Sequence, residues 1–271
     1  MKKMLFLPVL LFLMLVLLPG RAAAAAPCTV RIDGKAIGYE AVIRGGSAYL
    51  PLRAVADHYG GRLTWDTASR TARWTIDGLQ VTAQDGDIYA EANGRALYAP
   101  QGIFIRNGRL MVPARLVARW MGGNASWDAR SRRVDIAAGS TPIERGSRVY
   151  DADALLWLSR IISAESRGEP MHGQIAVGNV VLNRVKDPDY PDTIYGVIFD
   201  RNYGVQFEPV LNGSIYAEPT ESAVAAAKLC LEGVDLSRGS IYFYDPAKAQ
   251  SSWIGQNCTY VMTIGTHKFY I

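Results

Sequence analysis

Residues 155–185, LLWLSRIISAESRGEPMHGQIAVGNVVLNRV, read as two helices broken at Gly168-Glu169-Pro170. Asp151 or Asp153 supplies an N-cap, and glycine followed by proline ends the first helix near Arg167. Leu155, Leu158, Ile162 and Glu165 sit at offsets 0, 3, 7 and 10, within an arc about 80° wide at roughly 100° per residue. Glu165 therefore shares the apolar stripe, and it lies in the last turn, where the helix dipole disfavours negative charge. Burial and dipole both push a carboxyl toward its neutral form. That is the state an acid needs to protonate a leaving glycosidic oxygen. Position alone equally allows a helix-end glutamate paired with Arg167 or Arg184. The second helix, about Met171 to Lys186, sets the stripe Ile175, Gly178, Leu182 and Val185 beside the polar Gln174, Asn179, Asn183 and Arg184. Gln174 and Arg184 are placed either to hold a carboxyl or a sugar, or to bridge neighbouring loops.

Working outward to the N-terminus, Lys2 and Lys3 precede an apolar run, Met4 to Leu18, then Pro19-Gly20 and the small residues Ala22 to Ala26. This order reads as an export signal over residues 1–26, cleaved near Ala24 to Ala26. The run falls short of the roughly 20 residues that span a bilayer, so no membrane association is expected after cleavage. Pro27 stands where a lipid-modified Cys28 would need a small residue. Loss of residues 1–24 removes Lys2, Lys3 and Arg21, taking the formal charge from +4 to +1. Nucleic acid is not the expected partner of so weakly charged a chain. The remaining charge is uneven: residues 28–138 hold 15 Lys+Arg against 10 Asp+Glu, net +5, and residues 139–271 hold 11 against 15, net −4. A basic, arginine-dominated part joined to an acidic one suits an anionic polymer outside the cell. The cysteines (Cys28, Cys230, Cys258) and histidines (His58, His172, His267) show no metal-ligand spacing, so no metal or other cofactor is implied. In an exported chain Cys230 and Cys258 are expected to be bridged, leaving Cys28 free.

Residues 49–74 and 111–136 repeat at an offset of 62. Pro51, Arg53, Val55, Gly60-Gly61, Trp65-Asp66 and Ser69-Arg70 recur as Pro113, Arg115, Val117, Gly122-Gly123, Trp127-Asp128 and Ser131-Arg132. Asp33-Gly34 and Asn93-Gly94 are tight-turn pairs. Each unit reads as a hairpin, a short helix (Leu52 to Tyr59, Ala114 to Met121), a Gly-Gly break and a second hairpin. The tryptophans are expected in the hairpin core rather than as sugar-stacking surfaces. Residues 139–148, rich in Gly, Ser, Thr and Pro, read as a linker.

The doubled PxR…GG…WD…SR pattern resembles the copper amine oxidase-like N-terminal, or stalk, domain over residues 28–138. The copper of that name is not carried over, because copper wants clustered imidazoles or thiolates and this part offers only His58 and Cys28. It is read as a non-catalytic module that associates with anionic wall polymers or acts as a spacer.

Residues 152–270 resemble the SleB-type spore-cortex and cell wall hydrolase family. The motifs that carry the likeness are Ala164 to Pro170 (AESRGEP), Gln174 to Val185, Gln206-Phe207, Tyr242 to Pro246 (YFYDP) and Ile264 to Tyr270 (IGTHKFY), in the family's order. The resemblance implies a lysozyme-like α+β domain over residues 150–271, with a single catalytic glutamate at Glu165 and peptidoglycan as substrate. Gln174, Arg184, Gln206, Phe207, Glu208, Tyr242 and Tyr244 form the expected substrate-binding set. The family usually carries Ser or Thr after the Gln-Phe pair, whereas this chain has Glu208, read as a subsite contact, a solvated loop residue or a second catalytic carboxylate. Tyr203 and Trp253 offer further aromatic surface, and the strand at 240–245 is expected to present only alternate residues to a groove. His267 is expected to be structural. The chain is thus read as an α+β, secreted, wall-associated glycosidase acting on the N-acetylmuramic acid–N-acetylglucosamine bond as a lytic transglycosylase, or as a muramidase if a second carboxylate activates water. The rival reading is a non-catalytic wall-binding surface protein.

Overall fold

In the computed structural model, which describes residues 28–202, 204–248 and 253–271, turn chemistry sets the architecture of the first half. The expected export signal and Tyr203 lie outside the described residues. The first half runs β1 (Thr29–Ile32), β2 (Lys35–Ala36), β3 (Val42–Arg44), β4 (Ser47–Pro51), α1 (Leu52–Tyr59), β5 (Arg62–Asp66), β6 (Thr71–Ile76), β7 (Leu79–Gln84), β8 (Tyr89–Ala92), β9 (Arg95–Tyr98), β10 (Phe104–Arg106), β11 (Arg109–Pro113), α2 (Ala114–Trp120), β12 (Asn124–Asp128) and β13 (Arg133–Ala137). Asp33-Gly34 and Asn93-Gly94 take consecutive positive φ values, 50° and 77°, then 51° and 78°, as tight hairpin turns require. The recurring Trp-Asp…Ser-Arg is also a turn device. Asp66 Oδ1 accepts from the Ala68 and Ser69 amides and Asp128 Oδ1 from those of Arg130 and Ser131, the local competition that makes aspartate a turn former.

The two copies join through β4 and β11 in a sheet of order β10-β11-β4-β3. The strands β5 to β9 form an antiparallel meander, and β1 pairs in parallel with β13, from Thr29 opposite Arg133 to Ile32 opposite Ile136. Leu50, Leu52, Trp74, Val112, Leu116 and Trp120 fill the core. The Trp74 indole donates to the Gly60 carbonyl at 2.8 Å. Gly61, at φ 86°, could carry no Cβ, which would lie 2.4 Å from the Thr75 carbonyl oxygen; this is what the first Gly-Gly is for. The tryptophans divide. Trp74 is core, as expected, but Trp65 and Trp127 are 43% and 47% exposed. They are the cross-strand partners of buried Ala72 and Val134 and so share their face, but β5 and β12 are the edge strands of their sheets, where no further strand covers the indoles.

The second half is mainly helical: α3 (Gly146–Val149), α4 (Ala152–Ser166), α5 (Met171–Lys186), α6 (Ile194–Phe199), α7 (Glu208–Asn212), α8 (Glu221–Leu231), then β14 (Tyr242–Tyr244), α9 (Trp253–Asn257), β15 (Tyr260–Ile264) and β16 (His267–Tyr270), the three strands in order β14-β16-β15. The α+β class expected from the sequence is the one observed. Asp151 caps α4 by accepting from the Ala154 amide at 2.8 Å, and Thr220 caps α8 through Ala223. Gly178 lets α5 close on α4 and α8: a Cβ there would lie 2.7 Å from Ile162 Cδ1 and 2.8 Å from Cys230 Sγ. Cys230 is buried in that contact and donates to the Ile175 carbonyl. Cys258 lies past α9, and all three cysteines are free, so the expected Cys230–Cys258 bridge does not form. Its half-cystine is committed to the helix core.

The stretch at 139–148 lies against the first half along its length. Ile143 is buried in that core, its amide donating to Trp120 and its carbonyl accepting from the Asn93 side chain at 2.8 Å. Ala96, on β9, is buried in the core of the second half, with Ile88, Tyr89 and Tyr98 packed around it. Beside this contact Glu232, its side chain 4% exposed, receives a bidentate pair of hydrogen bonds from Arg95 at 2.6 and 2.7 Å, another from Arg119 and one from the Tyr150 hydroxyl. Burial raises the Glu232 carboxyl, but the bonds from Arg95 and Tyr150 outweigh it and hold the group below the usual carboxylate range. Lys228 on α8 adds an ion pair to Glu91 on β8 at 2.9 Å.

Candidate active site

The end of α4 opens into a cavity of about 580 Å³. Ala164 and Glu165 form its floor, Arg184 of α5 and Gln206 to Pro209 one wall, Tyr242 to Asp245 another, with Trp253 and His267 at its edge. Every expected site residue except Gln174 lines it. Gln174 is buried behind the site, its amide donating to the Glu169 carbonyl at 3.0 Å, which ties α5 to the loop that ends α4.

Glu165 is carried in by the last turn of α4 on the stripe of Leu158 and Ile162, both fully buried. Burial lifts its carboxyl to about 7, the negative charge of Glu208 adds to the rise, and Arg184 opposes it. The acid is thus half protonated near neutral pH. Arg184 is itself buried. Its Nε donates to the Ile241 carbonyl at 2.7 Å, Nη1 reaches Gln206 Oε1 at 3.5 Å, and its guanidinium lies 5.1 to 5.6 Å from the ring centres of Tyr190, Phe207 and Tyr242. Three aromatic faces hold one cation where it faces the acid. Neither Arg167 nor Arg184 forms an ion pair with Glu165 among the described residues, so the helix-end salt bridge that position alone allowed is not made.

The second glutamate of AESRGEP does other work. Glu169 Oε2 accepts from the Thr266 amide at 3.0 Å and Oε1 from the Thr266 hydroxyl at 2.7 Å, pinning the turn between β15 and β16. Gly265 makes room for it, since a Cβ there would overlap the carboxylate. Glu208 is the first residue of α7 and is exposed at the lip. Phe207 is buried, whereas Tyr242 and Tyr244 are half-buried. The strand β14 contributes Tyr242, Phe243 and Tyr244 in succession rather than alternate residues. It is the edge of its sheet, and the cavity meets it at that edge. Trp253 is exposed, its ring 6.4 Å from that of Tyr242.

The sequence reading missed Asp245, Lys248, Asn212 and Ser214 in the lining. Asp245 stands inside the YFYDP motif and could have been found there. Asn212 ends α7, Ser214 begins the short turn after it and Lys248 follows β14, none in a segment with a pattern of its own. His267 lines the cavity but is buried, with Nδ1 lacking a hydrogen-bond partner among the described residues, and burial lowers its pKa.

Residues 168–270 match the Cell Wall Hydrolase family. They form a cell wall hydrolase domain. The family match begins three residues after Glu165, and alignments to relatives extend further. A spore cortex-lytic enzyme of Halalkalibacterium halodurans is 37% identical over 130 residues, 47% of this chain and 38% of that protein. One of Bacillus subtilis is 33% identical over 141 residues, 52% of this chain and 43% of that protein. The chain thus spans less than half the length of either relative. The solved catalytic domain of the germination-specific lytic transglycosylase SleB from Bacillus anthracis is 34% identical, with all of that chain and 48% of this one covered at a TM-score of 0.42. Ahead of the cell wall hydrolase domain, residues 31–136 match the Copper amine oxidase N-terminal domain. The residues present do not fit copper. His58 faces Asp33 at 3.8 Å, Cys28 is buried with its thiol toward the Thr29 carbonyl, and no group of three ligating side chains occurs among the described residues.

Proposed function

We propose that the chain cleaves the glycan of peptidoglycan at the bond between N-acetylmuramic acid and N-acetylglucosamine, with Glu165 as the acid. The observation that carries this is a carboxyl lifted to about 7 in a cavity walled by tyrosines and a fixed arginine. The names of the spore cortex-lytic relatives point to the same polymer. Protonated Glu165 donates to the bridging oxygen as the C1–O bond breaks and positive charge builds at C1 of the muramic acid. The carboxylate left behind then takes the proton of that sugar's 6-hydroxyl while its oxygen bonds to C1, closing a 1,6-anhydro ring and restoring the acid. Arg184 limits the rise of the Glu165 pKa and steadies the carboxylate between the two steps. Half-buried Tyr242 and Tyr244, with exposed Trp253, offer faces for sugar rings.

Glu208, on the same lip, supports a second outcome in which it activates water and the product is a reducing sugar. We place the protein outside the cytoplasm on the cell wall or spore cortex, exported by residues 1–26, with the basic module of residues 28–138 drawn to anionic wall polymers. Mass spectrometry of digested sacculi tests the proposal. Anhydromuramyl ends are expected, reducing muramyl ends would move the mechanism to Glu208 and water, and intact glycan would leave a non-catalytic wall-binding protein.

A further inference from the structure

Two cavities of about 520 and 560 Å³ open on the first half and share Ile43 and Arg132 as a common wall. One passes Tyr39, Arg106 and Arg109, the other Arg115 and Trp127. Side by side they form a trench, divided at those two residues, on the face where β3, β11 and β12 come together. Its floor is unusual for a surface: Trp127 and Ile43, large and apolar, are each nearly half exposed. Its rim is cationic. Arg106, Arg109, Arg115 and Arg132 face a single lining acid, Glu40, for a net of three positive charges. Arg106, Arg109 and Arg115 form no ion pair among the described residues, and the Arg109 guanidinium lies 5.0 Å over the Tyr39 ring.

The duplication provides an internal comparison. Trp65, Arg53 and Arg70 stand in the first repeat where Trp127, Arg115 and Arg132 stand in the second. Trp65, however, lines neither cavity. Of the two equivalent tryptophans, Trp127 stands in the trench and Trp65 does not.

We propose that this trench binds a peptidoglycan glycan strand, with a pyranose ring stacked on Trp127 and lactyl or stem-peptide carboxylates held by Arg115 and Arg109. The proposal rests on the reading of the second half as a peptidoglycan enzyme and assigns the module a site for the same polymer. The indole selects the ligand. A phosphodiester wall polymer would satisfy the arginines but offers Trp127 no ring face, whereas a muramyl strand supplies both an apolar ring face and a carboxylate that matches the guanidinium fork. Truncating a buried aromatic anchor typically costs one to two powers of ten in affinity.

The test is co-sedimentation of the full chain with sacculi stripped of phosphodiester polymers, on ice. Trp127→Ala and Arg115→Glu should weaken retention about tenfold or more, Trp127→Tyr should keep most of it, and Trp65→Ala should bind as the wild type does. Retention of Trp127→Ala equal to wild type, or an equal loss in Trp65→Ala, overturns the trench. Loss of wild-type binding on stripping assigns it to the phosphodiester polymer instead. Sedimentation without sacculi that depends on Trp127 makes it a contact between copies. Warming the same tubes separates this claim from the enzymatic one: a chain that binds through Trp127 yet releases no glycan leaves the trench standing and removes the catalytic reading.

Discussion

Replacing Glu165 with glutamine separates a proton donor from a polar wall. Glutamine keeps the shape and cannot donate, so glycan release should fall by about two to four powers of ten. Stability should move the other way, and with pH. The carboxyl rises from 4.5 to about 7 on folding, chiefly through burial. Below about pH 4 it is protonated in both folded and unfolded chains and contributes nothing. As pH climbs from 4.5 to 7 the unfolded chain releases the proton first, so the wild type loses stability, reaching a cost of about 3 kcal/mol above pH 7. The glutamine variant has no such term. Urea unfolding of both proteins at pH 4 and pH 8 is the assay. The variant should gain about 3 kcal/mol on the wild type between those two pH values. An unchanged difference would show that burial does not hold the proton on Glu165, and turnover within tenfold of wild type would remove it as the acid.

Glu208→Gln deletes a negative charge that helps raise Glu165, so the alkaline limb of the pH–activity curve should move to lower pH with a smaller loss of turnover than Glu165→Gln. A dead Glu208→Gln would transfer the chemistry to that residue. Glu232→Ala leaves Arg95 without its bidentate partner and should cost about 3 kcal/mol, splitting a single calorimetric transition into two. The lowered Glu232 pKa means that its contribution is present above the unfolded value and lost on acidification through the folded one, so the wild type should begin to split at low pH. Thiol labelling under denaturing, non-reducing conditions should find Cys230 and Cys258 both free, and a bridged peptide would contradict the packing of Cys230 under Gly178.

What the sequence made legible was local. The helix bounds around Glu165, the Asp151 cap, the Asn-Gly and Asp-Gly turns and the duplicated units all depend on neighbours a few residues away, and the structure reproduces them. Glu165 and Glu169 were separable because one lies on an apolar stripe and the other beyond a glycine. What was not legible depended on distant pairing. No pattern near Thr29 announces that it will lie beside Arg133, and nothing around Ala96 says that it will be buried by a helix more than a hundred residues away. Residues 139–148 look like a linker by composition, and only tertiary packing buries Ile143. The exposed tryptophans misled for the same reason. Side-chain type predicts burial on average, but Trp65 and Trp127 are open because β5 and β12 lie at sheet edges, and which strand becomes an edge is decided by distant pairing.

The parallel pairing of β1 with β13 also has a mechanical meaning. The chain enters the module at the start of β1 and leaves it at the end of β13, and because the two strands point the same way, pulling on those two ends slides them past each other along their length. Such a load is shared by the whole ladder from Thr29 to Ile32 at once, instead of peeling it one bond at a time. The module takes a load applied across those two ends along this path. Its first strand therefore works as a clasp, resisting tension with all its backbone bonds together, and its strength is set by the rate at which the ladder shears rather than by the stability of the fold at rest.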